Sequence, residues 1–217
     1  MTKIIGTKHP AYKIRRKGMK EGRFNGAYYY ALEIERNIIP QIKTNRNWVL
    51  LNCRGYAYSH SVVFIHNNLN PQAYDWLKMY GHRDLVLVCG IPETCEKVKH
   101  LGRTIYIPLS IDVDQVAQYR TEKTKSAAFV GRAVKRKNIE FPEDVDYLES
   151  MERSQLLREM AKYKRVYAVG RCAIEARALG CEVMPYDPRF PDPSIWKVVD
   201  NSEAAELLQE RLNEIDG

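Results

Sequence analysis

The chain is poor in the features that would make its class obvious. It has only five cysteines in 217 residues, and no two form a C-x-x-C pair. Zinc ribbons, thioredoxin-type redox motifs and disulfide scaffolds are therefore not indicated, and an odd number of scattered thiols suits a reducing compartment. With 12 glycines and 10 prolines, the chain is neither collagen-like nor of low complexity. Its longest apolar run, about Leu85 to Ile91, is far short of the roughly 20 residues that cross a bilayer. The start, MTKIIGTKHPAYKIRRK, lacks the apolar stretch of a secretory signal. The expectation is a soluble, cytoplasmic protein with no membrane span. No internal repeat, zinc finger, ribonucleoprotein motif or clear helix-turn-helix is visible. Asp112 with Asp114 and Asp144 with Asp146 fall in connecting segments, so no metal site is expected.

What the chain does have is a core-forming composition and an uneven charge. Hydrophobic residues make up 45% and charged residues 28%, with a net charge of +7. Residues 1–120 carry 18 Lys and Arg against 9 Asp and Glu, whereas residues 121–217 carry 16 against 18. Lys13, Arg15, Arg16, Lys17, Lys20 and Arg23 crowd one short segment beside Tyr12 and Phe24. Such a cluster is either a solvated basic loop or a contact for a nucleic acid or another anionic acceptor.

Hydrophobic patterning predicts an α/β protein. After a short strand at Lys3–Gly6, a helix opens at Asn25 and stops at Pro40, with one of Tyr28, Tyr29 and Tyr30 in the core. Strands follow at Trp48–Leu51, Val62–Ile65, Leu85–Cys89 and Thr104–Ile107, with helices at Pro71–Tyr80, Glu93–His100 and Val113–Tyr119. Beyond a polar linker the theme recurs. Strands are expected at Ala127–Gly131, Val166–Val169 and Glu182–Met184, and helices at Arg153–Tyr163, 172–179 and Ala204–Asn213. Near-continuous apolar strands alternating with helices indicate parallel sheets covered on both faces. The expected architecture is two small Rossmann-like halves, residues 1–122 and 123–217.

Ligands of open parallel sheets bind beyond the carboxyl ends of the strands. Two loops meet that rule with suitable residues. Gly131 and Arg132, followed by Lys135, Arg136 and Lys137, come directly after a strand, where glycine admits close backbone approach and the cations neutralise a diphosphate. Gly170 and Arg171 open a helix whose amide dipole favours an anion, with Glu175 one turn further on. In the first half, His66 at a strand end is the candidate general base, with His9 and His60 as weaker ones.

The strings FVGRAVKRK, AIEARALGCEVMPYD and IYIPLSIDVDQVAQY resemble the C-terminal half and hinge of GT-B glycosyltransferases, in particular the retaining group typified by glycogen and sucrose synthases. The resemblance implies that Arg132 and Lys137 hold a donor diphosphate, that Glu175 contacts the ribose, and that Ile107–Asp112 forms the hinge. It further implies a nucleotide sugar bound between two domains as substrate, with no other cofactor. The position eight before Glu175, where that family carries a second glutamate, is Tyr167. Two alternatives remain open at this point: a nucleic-acid-binding protein on such a scaffold, and a non-catalytic protein that binds or sequesters a nucleotide.

Overall fold

The structure, a computed structural model, describes residues 2–8, 26–50, 59–65, 77–79, 84–131, 139–149 and 151–217. The described chain divides into two compact units. Apart from Gly26, which groups with the second unit, the first holds the described residues up to 108 together with 201–217, and the second is built on 109–200. The division falls inside Ile107–Asp112, the segment assigned to a hinge, and not at 122–123. The last helix, expected in the second half, belongs to the first unit.

The first unit contains a five-stranded sheet of β1 (Ile4–Ile5), β2 (Asn47–Val49), β3 (Ser61–Ile65), β4 (Leu85–Cys89) and β5 (Arg103–Tyr106). Neighbours follow chain order, and every pair is parallel. β3 and β4 are buried along their whole length, which explains why their sequences, SVVFI and LVLVC, do not alternate. Helix α1 (Gly26–Glu33) does not run unbroken to Pro40 as expected. It widens into a π turn at Ile34–Ile38 and then tightens into a 3-10 turn at Ile39–Gln41 that contains Pro40. Proline lacks the amide needed to continue an α-helix, so the helical ladder changes pitch around it. The π turn keeps Ile34 and Ile38 buried. Its Glu35 accepts hydrogen bonds from the Thr7 amide (2.9 Å) and hydroxyl (2.6 Å) just after β1. Of the three tyrosines, Tyr30 is the buried one. Helix α2 (Pro92–Val98) starts with its proline at the first turn, where no amide bond is forfeited.

The sixteen-residue helix α6 (Asn201–Asp216) is tied into this unit at both ends. Asn201 donates to the Glu33 carboxylate at 2.6 Å. The Asp216 carboxylate accepts from Arg46, a residue only 1% exposed. The Arg46 guanidinium also pairs with Asp84 at 3.1 Å. The hydrogen bond from Arg46 holds the Asp216 carboxyl below its ordinary pKa. Burial pushes Asp84 upward, but the His60 and Arg46 bonds outweigh it and leave its pKa lowered.

The second unit contains a four-stranded parallel sheet of β6 (Lys125–Val130), β7 (Asp146–Leu148), β8 (Tyr163–Tyr167) and β9 (Glu182–Met184). Its order is β7-β6-β8-β9, so the chain steps one way from β6 to β7 and then crosses back to β8. Strand β7 lies where only an acidic connector was expected. It is three residues long, with Asp146 and Tyr147 exposed at the sheet edge, and so carries no buried run to betray it. Strand β8 begins at Tyr163 rather than Val166, because Lys164 and Arg165 interrupt its apolar pattern, and it ends at Tyr167.

Three helices accompany this sheet: α3 (Val113–Ala117), α4 (Arg153–Met160) and α5 (Arg171–Ala178). Asp112 caps α3 by accepting the Gln115 amide at 2.8 Å. Helix α5 ends at a glycine. Gly180 has φ 78°, its amide bonds the Arg177 carbonyl, and the Cys181 amide bonds the Ala176 carbonyl, which is the paired closure of a Schellman turn. The fold is thus α/β with two Rossmann-like parallel-sheet halves. No described helix is long and apolar enough to cross a membrane.

Candidate functional site

Strand order distinguishes the two sheets. A ligand crevice opens where the order reverses, because the two connections then leave on opposite faces of the sheet. The described strands of the first sheet show no reversal, whereas in the second the reversal lies between β6 and β8. These two strands are hydrogen-bonded neighbours, with Phe129 opposite Tyr167. Gly131 follows one of them and Gly170 with Arg171 follows the other, so the two loops singled out in the sequence leave adjacent strands at one point of the sheet.

The two glycines have different reasons to be glycine. Gly170 has φ 63° and ψ −138° at the start of α5, a backbone geometry that side chains oppose. Its carbonyl takes the first helical bonds, from the amides of Ala173 (3.0 Å) and Ile174 (3.2 Å). At Gly131 the constraint is packing. A Cβ there would stand 2.5 Å from Cζ of Phe129, so the space beside this glycine is filled by the protein's own aromatic ring.

Arg171 and Glu175 lie one turn apart on α5 and are both buried, Glu175 completely. The Arg171 Nε–H donates to Glu175 Oε1 at 2.7 Å. From the first turn of α4, Arg153 donates to the same oxygen through Nη2 at 2.9 Å and Nε at 3.2 Å. Its Nη1 reaches Gln115 on α3 at 3.1 Å. Glu175 Oε2 is buried without a hydrogen-bond partner among the described residues. Glu175, expected at a ribose, thus has one oxygen engaged inside the protein by two guanidinium groups. Arg153 is a member of this cluster that the sequence did not single out, because nothing in its neighbourhood marks a strand exit.

On one face of the same sheet an aromatic row runs across the strand ends. Phe129 pairs in register with Tyr147 of β7 and Tyr167 of β8, and Tyr167 with Met184 of β9. Tyr186 stands edge-on to Phe129, and Phe141 is tilted against Phe129 and edge-on to Tyr167. The Phe141 and Tyr186 ring centroids lie 5.5 and 5.0 Å from Phe129, and Phe141 is 4.9 Å from Tyr167. Between them is an open, groove-like cavity of about 380 Å³ lined in part by Phe141, Tyr167 and Tyr186. The Tyr167 hydroxyl donates to Glu143 at 2.9 Å. Burial, and then this carboxylate partner, push its pKa up to about 12. Burial likewise raises the Tyr186 phenol, with further contributions from Cys172 in the first turn of α5 and from Asp187. The sequence signal for this row was an aromatic residue one position before the end of β6 and at the end of β8, legible only once the strand ends were known.

Arg132, Lys137 and His66 lie outside the described residues, as do His9 and the basic residues Lys13, Arg15, Arg16, Lys17, Lys20 and Arg23. His60 has φ 54° and both ring nitrogens engaged, Nδ1 with Asp84 at 2.8 Å and Nε2 with Asn45 at 2.7 Å. It is built into a turn rather than offered to a substrate. Among the described residues no group of three or more His, Cys, Asp or Glu is placed to hold a metal ion. Compared with known proteins, the chain matches no family model and no curated protein, so its functional reading stands on its own residues.

Proposed function

We propose that the second unit binds a nucleoside diphosphate, carried as a nucleotide sugar, at the carboxyl ends of β6 and β8, and that the protein transfers the glycosyl group to an acceptor. The observation that carries this reading is the departure of two glycine loops from adjacent parallel strands at the single reversal of described strand order. The diphosphate would meet the amide end of α5 at Gly170 and Arg171. Arg132 and Lys137, on the loop that begins at Gly131, would supply the charge that stabilises the departing diphosphate. His66 is the base an inverting reaction would use; a retaining one needs none. The basic residues between Lys13 and Arg23 suit a polyanionic acceptor, nucleic acid included.

A second reading, nucleotide binding without transfer, draws on Glu175. A carboxylate already held by Arg153 and Arg171 is less able to serve a sugar hydroxyl, and a binding or sequestering protein needs no such group.

Calorimetric titration with UDP, GDP, ADP and their sugar conjugates tests the proposal. One diphosphate should bind with little dependence on salt, and Arg132→Ala with Lys137→Ala should weaken it by at least ~10-fold through loss of charge-assisted bonds. Release of free diphosphate from the sugar conjugate would separate transfer from binding alone. Binding to a DNA duplex only, lost as salt rises, would replace this proposal with the nucleic-acid reading.

A further inference from the structure

The cavity beside the aromatic row has a described lining with a chemistry of its own. At about 380 Å³ it is large enough for a bicyclic ring with its substituents, and its described lining contains no lysine or arginine. Four lining residues, Pro142, Pro185, Pro188 and Pro191, have carbonyl oxygens but no amide to donate. The two charged lining residues, Glu140 and Asp187, are carboxylates. Arg189 pairs with Asp187 through Nε at 2.9 Å and Nη2 at 2.6 Å, while Glu140 is exposed. The Tyr167 hydroxyl spends its proton on Glu143. The described lining thus offers two carboxylates and four proline carbonyls as acceptors against the Tyr186 hydroxyl as its side-chain donor, and its walls are aromatic edges and faces from Phe141, Tyr167 and Tyr186.

We infer that this cavity binds a flat heterocyclic ring bearing an amino group, such as adenine or cytosine. The tyrosine and phenylalanine rings would hold the ring by stacking and edge contacts. The exocyclic N–H groups would meet the carboxylate and proline carbonyls. A ring presenting a carbonyl at the same position would set acceptor against acceptor. The inference deepens the nucleotide reading and rests on it for one thing only, the origin of the ring. The ring is either the base of the nucleotide whose diphosphate meets Gly170 or a separate nucleoside-like molecule.

Paired nucleosides test the cavity without involving a phosphate. Adenosine should bind at least ~10-fold tighter than purine riboside, which lacks the amino group, and cytidine similarly tighter than uridine. Tyr186→Ala should weaken adenosine by about tenfold through lost stacking. The exposed Glu140→Gln, which leaves the packing intact, should narrow the adenosine preference. Equal binding of cytidine and uridine, or no nucleoside binding at millimolar concentration with the protein still folded, would overturn the inference.

Pyrophosphate and ADP identify the source of the ring. If the ring is the nucleotide's base, Tyr186→Ala weakens ADP in step with adenosine while pyrophosphate binding is unchanged. If adenosine binds but ADP binds no tighter and pyrophosphate not at all, the cavity stands and the diphosphate reading falls. If pyrophosphate binds and nucleosides do not, the cavity assignment falls and the diphosphate reading stands.

Discussion

Replacing Gly131 with alanine separates two explanations of one residue. If the glycine is there to let a phosphate approach, the methyl group should obstruct ligand and leave stability unchanged. The packing argues otherwise. The new Cβ would lie 2.5 Å from Phe129 Cζ and 2.9 Å from Cε1, far inside contact distance. Phe129 cannot easily turn aside, because it is fully buried and its ring is held by Phe141 at 5.5 Å, Tyr147 at 6.1 Å and Tyr186 at 5.0 Å. Overpacking of a well-filled site costs about 1–3 kcal/mol. A midpoint of about 2 kcal/mol corresponds to a fall in Tm of roughly 4–8 °C for a protein of this size. Phe129→Leu alone should also destabilise, by loss of aromatic contact, but Gly131→Ala combined with Phe129→Leu should cost less than the sum of the two, because the smaller side chain makes room. A coupling of about 1 kcal/mol or more in a double-mutant cycle, measured by urea unfolding followed by circular dichroism, is the expected result. Strict additivity, or an unchanged Tm for Gly131→Ala, would refute the packing account. If the double variant regains stability but not nucleotide affinity, Gly131 serves both purposes.

Three other outcomes follow from the ionic and tyrosine networks. Glu175→Gln should destabilise the protein by about 3–5 kcal/mol, because it leaves the buried Arg171 and the largely buried Arg153 without their shared carboxylate; chemical denaturation checks it, and an unchanged midpoint would show that the carboxylate is not structural. Tyr167 is held neutral in the folded state, with its pKa raised from the ordinary value near 10 to about 12. Its contribution is therefore complete below pH 10 and is lost as pH climbs through about 12, and Tyr167→Phe should flatten that alkaline loss in a pH series of thermal melts. In the first unit Asp216 has a lowered pKa, so its contribution is present above the ordinary carboxylate range and disappears as pH falls through its folded value. Arg46→Met should remove most of that acid sensitivity, as read from unfolding midpoints between pH 2 and pH 6.

Much of the fold was legible because burial and pattern coincide. Strands such as β3 and β4 are apolar at every position, and a chain segment that is buried on both faces has no other way to read. Gly180 and Pro92 mark a helix end and a helix start because each supplies the one backbone property that the position demands. The failures have equally physical causes. The edge strand β7 buries only Leu148 of its three residues, and the first half of β8 carries Lys164 and Arg165 where the pattern needed apolar side chains. The pitch change at Ile34–Ile38 is invisible to periodicity, since π and α turns place the same isoleucines in the core. The return of α6 to the first unit depends on Asn201 meeting Glu33 and Asp216 meeting Arg46, contacts 168 and 170 residues apart in sequence. The candidate site was half legible. Glycine and arginine after a strand announce a loop suited to an anion, but the aromatic row requires knowing where four strands end. The engagement of Glu175 by Arg153 likewise requires knowing that α4 and α5 pack together.

The central claim is that the reversal between β6 and β8 is a nucleotide site. Calorimetric titration of ADP, UDP and GDP into the whole protein at low and moderate salt, repeated with Gly170→Ala and with Tyr186→Ala, tests it most directly. The account predicts salt-tolerant binding of at least one diphosphate, weakened by both substitutions while the protein remains folded. Absence of binding to all three at millimolar concentration, or binding indifferent to both substitutions, would contradict it.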